Sequence, residues 1–289
     1  MSKNNNIKPF LKWVGGKTKL IAEIEKNFPK NLRNKKFTYV EPFLGGGAVF
    51  FHLVQNFNIE KAHLNDLNEK LINTYIDVRD NHLELIEKLK KLESDYKGSP
   101  EKKTFFLDKR KKFNSIKNSI QKSALFVFLN KTGFNGMYRE NSKGEYNIPF
   151  GQMKNPPICN EGLLKNISNL LKDKEVVFSS KSFEKVTADK KEAFYYLDPP
   201  YRPISKTSSF TDYTKSSFND EMQFSLKEYC DKIDEKGSFF MQSNSYSEDG
   251  FFQNLYQNRK INNLKVTRTI SADGSKRNKV KEIIIKNYD

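Results

Sequence analysis

Four consecutive residues, Asp198-Pro199-Pro200-Tyr201, form the strongest chemical signal in the chain. They follow an apolar run, Phe194-Tyr195-Tyr196-Leu197, that reads as a buried strand. A strand ending this way sets a carboxylate, a stiff turn and an aromatic ring at the mouth of an α/β sheet, where ligands bind. The two prolines remove two backbone donors and leave carbonyl acceptors free. An anionic acceptor, a bare carbonyl and a stacking surface together suit a planar group bearing an NH2, such as the exocyclic amine of a nucleobase.

A second constellation lies upstream. Gly45-Gly46-Gly47 stands between a predicted strand and a predicted helix, where glycine lets the backbone approach a ligand closely. Asp66 follows about 20 residues later, the spacing at which an acid meets ribose hydroxyls in nucleotide-binding βαβ units. The pattern fits a nicotinamide dinucleotide or S-adenosylmethionine; the plain alternative is a tight turn without a ligand. It departs from G-x-G-x-x-G, because Phe50 occupies the place of the last glycine. Gly15-Gly16-Lys17-Thr18 looks like the end of a phosphate loop, but Leu11 stands where the leading glycine belongs, which argues against nucleotide hydrolysis. Lys17 is instead placed to meet the carboxylate or a nearby group of an amino-acid-like cofactor.

Two further segments suit a nucleic acid. Phe134-Asn135-Gly136-Met137-Tyr138-Arg139 offers an aromatic wedge, an amide and an arginine on a predicted hairpin. Arginine pairs with guanine through two hydrogen bonds, and a ring can enter a stack opened by base extrusion. Arg268, Lys276, Arg277, Lys279 and Lys281 surround Asp273-Gly274 in a basic loop suited to phosphates. Each segment, taken alone, is equally compatible with an ordinary polar turn.

The scaffold that must position these groups reads as α/β. A helix is predicted over 18–27, a strand over 37–40, a helix over 48–55 and a strand over 62–66, the parts of a βαβ unit. Residues 68–130 read as consecutive helices, with Leu83, Ile86, Leu89 and Leu92 at helical spacing and a basic run from Lys109 to Lys112. Turn residues and alternation over 133–151 suggest the hairpin. Strands are then expected over 176–178, 193–197, 238–242, 264–267 and 282–285, with helices over 220–236 and 249–256. The simplest organisation is a sheet split in sequence: residues 1–67 and 160–289 build it, and residues 68–159 form an inserted helical and hairpin subdomain.

A net charge of +16 and a pI near 9.5 favour a polyanionic partner. Cys159 and Cys230 stand far apart without histidine or cysteine at ligand spacing, and His52, His63 and His82 do not cluster, so neither a disulfide nor a metal site is expected. No long apolar run, signal peptide or lipidation motif is visible, and a cytoplasmic protein without membrane contact is expected.

Taken together and in this order, the motifs resemble the Dam-type DNA adenine-N6 methyltransferases. The resemblance covers most of the chain: residues 10–17, Glu41-Pro42-Phe43-Leu44-Gly45-Gly46-Gly47, Asn65-Asp66, Phe134-Asn135-Gly136 to Arg139, Tyr146-Asn147-Ile148-Pro149, Asp198 to Tyr201, and Arg268 to Ser271. It implies a seven-stranded, Rossmann-like methyltransferase sheet with a target-recognition insertion. It implies that Trp13, Lys17, Glu41, Pro42, Phe43, Gly45, Gly47, Asp66, Phe183 and Asp198 line an S-adenosylmethionine site. It implies that Asp198, Pro199, Pro200 and Tyr201 hold a flipped adenine of double-stranded DNA. Members that methylate GATC carry a lysine matching Lys12 and an arginine matching Arg139, both reading guanines. Phe134, Asn135, Met137 and Pro149 match positions around that contact, while Arg268, Lys276 and Arg277 are expected to grip the backbone.

One position departs. The family often has Gly-Asp-Phe before the catalytic strand, where this chain has Lys181-Ser182-Phe183, and weaker cofactor affinity is the expected consequence. The rivals are an RNA or protein amino-methyltransferase, which shares Asp-Pro-Pro-Tyr, and a silent nucleic-acid-binding module, against which the intact motif speaks. A cognate restriction endonuclease is a possible genetic companion, and a monomer or weak dimer is expected.

Overall fold

The structure, a computed structural model, describes residues 7–187, 192–202, 218–266 and 280–289. A 3₁₀ turn at Lys17–Lys19 leads into α1 (Ile21–Glu25). Strand β1 (Phe37–Glu41), α2 (Ala48–Asn56) and β2 (Ile59–Asn65) then form the expected βαβ unit. Four helices follow: α3 (Glu69–Asp80), α4 (His82–Gly98), α5 (Lys102–Ser115) and α6 (Ile120–Thr132). After α7 (Glu161–Lys172) come β3 (Glu175–Ser179), β4 (Phe194–Leu197), α8 (Asp220–Glu235), β5 (Phe239–Ser245), α9 (Phe251–Leu255), β6 (Lys260–Val266) and β7 (Val280–Lys286).

The strands make one seven-stranded sheet in the order β3-β2-β1-β4-β5-β7-β6. The first five are parallel, and β7 runs antiparallel to both β5 and β6. This is the α/β class read from the sequence. Strand β1 lies inside the sheet, flanked by β2 and β4, and every one of its residues is buried. Its successive side chains serve opposite faces: Tyr39 joins the larger core with Phe50, Phe51 and the inserted helices, and Val40 joins the smaller core with Tyr195, Leu226 and Phe240. Helix α6 packs against α3, α4 and α5, and its run Ser123 to Asn130 is buried throughout, so these helices share one apolar core with a face of the sheet. No described helix is long and apolar enough to cross a membrane.

Three local expectations need correction. The helix predicted over 18–27 is a 3₁₀ turn followed by a five-residue helix. The Asn27 amide donates to the Glu23 carbonyl (3.0 Å), taking a helix-end acceptor, and Pro29 disfavours helical geometry just before it. The 133–151 hairpin carries no regular strands among the described residues. It is held by two isolated bridges, Gly133 with Phe150 and Glu140 with Tyr146. A 3₁₀ turn at Phe134–Gly136 interrupts the ladder, because Asn135 (φ 54°) and Gly136 (φ 64°) both adopt left-handed backbone. Finally, β6 begins at Lys260, ahead of the apolar residues that signalled it.

Candidate active site

The parallel register brings the chemistry to one edge. Glu41 pairs with Leu64, Val40 with Tyr195 and Leu197 with Gln242, so the carboxyl ends of β2, β1 and β4 lie side by side. Asp66, the 41–47 loop and Asp198 each begin where one of these strands stops, the usual ligand edge of such sheets.

The loop after β1 is shaped by its glycines. Gly45 and Gly47 take positive φ (49° and 69°), and a Cβ on Gly45 would fall 2.7 Å from Trp13 Cδ1. Asp66 staples the loop: its Oδ2 accepts from the Gly45 N–H (2.9 Å) and its Oδ1 from the Asn68 N–H (2.9 Å). Burial pushes the Asp66 carboxyl up, and these two N–H groups oppose that shift. Glu41 lies beneath, buried, with one oxygen accepting from Tyr39 Oη (3.0 Å). Burial, reinforced by the nearby Asp198 and Asp66 charges, holds its carboxyl well above the usual range, and the Tyr39 hydroxyl opposes that shift.

Asp198 meets Lys17. The ammonium lies 2.7 Å from Asp198 Oδ1, donates to the Gly15 carbonyl (2.9 Å) and sits 4.9 Å from the Tyr201 ring centre. Tyr201 is anchored through its hydroxyl, which donates to Glu282 Oε2 (2.9 Å) on β7. Burial first, then the Asp198 and Glu282 charges, keep this phenol far above its ordinary pKa and therefore neutral. Beyond the motif, Arg202 bridges Asp220 (2.6 Å) on α8 and Asp249 (2.6 Å) before α9, and stacks over Phe251 at 4.1 Å. Asp198 and Tyr201 are thus tied to the start of the chain and to β7, and the next residue, Arg202, is tied to α8.

An aromatic wall flanks the cup. Phe43 and Phe183 are 5.4 Å apart between ring centres, and Phe218 packs on both (6.0 and 6.1 Å). Ser182, at the departing position, donates its hydroxyl to the Glu184 carboxylate.

The second cluster forms where the start of the chain meets the insertion. Asn130, buried at the end of α6, accepts from the Lys12 N–H (2.9 Å) and donates to the Lys12 and Gly136 carbonyls (2.7 and 3.0 Å). Gly136 packs on Lys12 so closely that a Cβ would stand 2.4 Å from Lys12 Cβ. Phe134 is half exposed, its N–H donating to the Pro149 carbonyl (2.9 Å), and Asn135 is exposed beside it. Met137 packs inward while Arg139 faces solvent, its Nε donating to Asn147 Oδ1 (2.9 Å). Helix α5 braces the returning side of the hairpin through Arg110 to the Ile148 carbonyl (3.0 Å) and Asn114 to the Tyr146 carbonyl (3.0 Å).

The structure therefore groups Lys17, Asp198 and Tyr201, groups Trp13 with the glycine loop and Asp66, and groups Lys12 with the Phe134–Arg139 segment. Arg268, Lys276 and Arg277 lie outside the described residues. Among the described residues, no group of three or more His, Cys, Asp or Glu side chains is arranged to hold a metal ion. Sequence reading missed Asn130, Arg202 and Glu282 as positioning groups. A buried amide ending the apolar helix run 124–129 was the available signal for Asn130; Arg202 and Glu282 carried none, since ordinary surface charges look the same in sequence.

Comparison with known proteins identifies the family. Residues 13–270 match the family described as D12 class N6 adenine-specific DNA methyltransferase. The chain is 43% identical over 289 residues to the Type II methyltransferase M.MjaIII of Methanocaldococcus jannaschii, covering 98% of this chain and 99% of that one. It is 37% identical to a DNA adenine methylase of Haemophilus influenzae (96% and 92% covered) and 33% identical to one of Escherichia coli K12 (98% and 95% covered). The chain belongs to the D12 class of N6 adenine-specific DNA methyltransferases.

Proposed function

We propose that this enzyme moves the methyl group of S-adenosylmethionine to N6 of an adenine flipped out of double-stranded DNA, within GATC. The observation that carries the reading is the placement of Asp198 and Tyr201, oriented by Lys17 and Glu282, beside the Trp13-packed glycine loop.

The site's chemistry fits that cofactor. The glycine loop admits close backbone approach, Asp66 offers acceptor capacity for ribose hydroxyls, and Phe43 and Phe183 form an apolar wall for a purine. When bound, S-adenosylmethionine supplies an electrophilic methyl group on a sulfonium. The adenine amine is a weak nucleophile because its lone pair is delocalised into the ring. Asp198 and the Pro199 carbonyl accept its two N–H bonds, drawing density onto nitrogen and aiming its lone pair. Acceptors fixed beforehand favour the positive charge that develops there. Lys17 keeps the Asp198 carboxylate oriented and charge-balanced. Tyr201 stacks on the base; stacking contributes roughly 1–3 kcal/mol toward the few kcal/mol that extrusion costs.

Residues 68–159 then serve as the target-recognition domain, with Lys12 and Arg139 reading guanines, Phe134 entering the vacated stack, and Asn135, Met137 and Pro149 shaping the contact. Arg268, Lys276 and Arg277 contribute backbone contacts. Mapping N6-methyladenine in DNA from cells that express the protein tests substrate and site together. GATC methylation is expected with the native enzyme and none with Asp198→Ala; methylation by Asp198→Ala, or of RNA instead, would sink the reading.

A further inference from the structure

Trp13 touches both halves of the site. Its Cδ1 and Nε1 lie where a Cβ on Gly45 would meet them at 2.7 and 2.9 Å, and its own Cβ lies 3.2 Å from where one on Gly46 would fall. Gly45 is the residue that Asp66 staples through its N–H, and its carbonyl accepts from Tyr75 Oη (3.2 Å). On its other side the indole meets the insertion. It stacks on Tyr138 with ring centres 6.0 Å apart and planes within 19°, and on Phe126 at 6.4 Å and 24°. Phe126 and Tyr138 also touch each other at 5.3 Å, so the three rings form one block.

Tyr138 is fastened a second time. Its hydroxyl donates to the Glu140 carboxylate, which pairs with Lys70 on α3, a short step along the chain from Asp66. Tyr138 is buried and the next residue, Arg139, is exposed. Tyr138 and Arg139 share a peptide link, so a shift of the backbone at the buried Tyr138 moves the root of the exposed Arg139 side chain. Aromatic packing resists bending but transmits rigid-body shifts.

We propose that Tyr138 is a positioning residue for sequence reading: its stack on Trp13 ties the orientation of Arg139 to the Gly45–Gly47 loop, so that cofactor binding and cognate-DNA recognition strengthen each other. The proposal rests on the reading of Arg139 as a guanine contact. By linkage the coupling is reciprocal and is measurable from either ligand.

The test uses the full chain, the unreactive cofactor analogue sinefungin, and labelled duplexes carrying the site that methylation mapping returns or its single-base variants. With the native protein, sinefungin should tighten binding of the cognate duplex at least about 5-fold and of the variants less than about 2-fold. Tyr138→Phe, which keeps the ring, should retain most of that gain. Tyr138→Leu should lose it and should lower the cognate-to-variant affinity ratio at least about 10-fold, while binding sinefungin alone as the native protein does. A purely structural role would instead weaken all duplexes alike. If Tyr138→Leu fails to bind sinefungin, Tyr138→His, which keeps a smaller ring, is judged by the same criteria. No gain in the native protein, or a gain and ratio undiminished in the variant, overturns the proposal. Arg139→Ala separates the two levels: unchanged discrimination there rejects the guanine contact itself, whereas lost discrimination there with Tyr138→Leu unaffected rejects only the positioning role.

Discussion

The Lys17 ammonium stands 2.7 Å from Asp198 Oδ1, with the two side chains only 4% and 19% exposed. The residue that looked like the end of a phosphate loop is thus the counter-ion of the carboxylate in the Asp-Pro-Pro-Tyr motif. Removing one partner of such a pair leaves an uncompensated charge near the interior, which is more damaging than removing both.

Lys17→Met should therefore destabilise the protein by up to ~3 kcal/mol. The double variant Lys17→Met, Asp198→Asn should recover most of that loss while remaining inactive. Denaturant unfolding of the native protein, both single variants and the double variant gives the coupling energy. Strictly additive effects would show that the contact contributes nothing.

Gly136 combines positive φ (64°) with the closest approach to Lys12, 2.4 Å from a built Cβ to Lys12 Cβ. Left-handed backbone alone costs a non-glycine residue about 1–2 kcal/mol, and Lys12 must move as well. Gly136→Ala should lower the thermal midpoint and reduce discrimination at one guanine, with binding of cofactor alone unchanged. A variant that loses stability but discriminates normally would separate Lys12 from sequence reading.

Lys131 carries a pH signature. Burial, aided by the charges of Lys12 and Lys8, pulls its ammonium down to about 8. An unfolded chain holds that proton to about pH 10.4. Between these values the unfolded state binds more protons, so stability from this group rises with pH; below pH 8 the destabilisation is present in full. Lys131→Met should accordingly stabilise the protein by about 1–3 kcal/mol at pH 7, and the gain should shrink toward pH 10.5. Urea unfolding at the two pH values decides it, and an equal gain at both would assign the effect to packing.

Ser182 replaces the aspartate common in the family and directs its hydroxyl to Glu184. A carboxylate here adds a charge-assisted acceptor for a cofactor amine. In a Glu184→Gln background, which removes the competing charge, Ser182→Asp should tighten cofactor binding several-fold by calorimetry. Unchanged affinity would mean that the cofactor's base does not reach this position.

The fold was largely legible. Strands β1, β3, β4 and β7 announced themselves as apolar runs, and the glycine loop and Asn65-Asp66 marked where β1 and β2 end. The hairpin was legible but its irregularity was not: two consecutive left-handed residues, Asn135 and Gly136, put a 3₁₀ turn into an alternating pattern, and alternation carries no information about φ. Helix α1 came out short because the Asn27 side chain competes for a backbone carbonyl, a contact that hydrophobic spacing does not register.

By itself the sequence determined the local chemistry: which strand ends in Asp198 to Tyr201, where the backbone needs glycine, and that consecutive helices stand between the early and the late strands. Those are properties of neighbouring residues, set by periodicity, φ preferences and donor or acceptor type. Tertiary structure alone decided that Lys17 balances Asp198, that Glu282 on β7 anchors Tyr201, that Asn130 holds Lys12 against Gly136, and that Trp13 joins the glycine loop to Tyr138. Each is a contact between segments distant in the chain. Its existence depends on sheet order and close packing, which pattern restricts but only the folded chain selects.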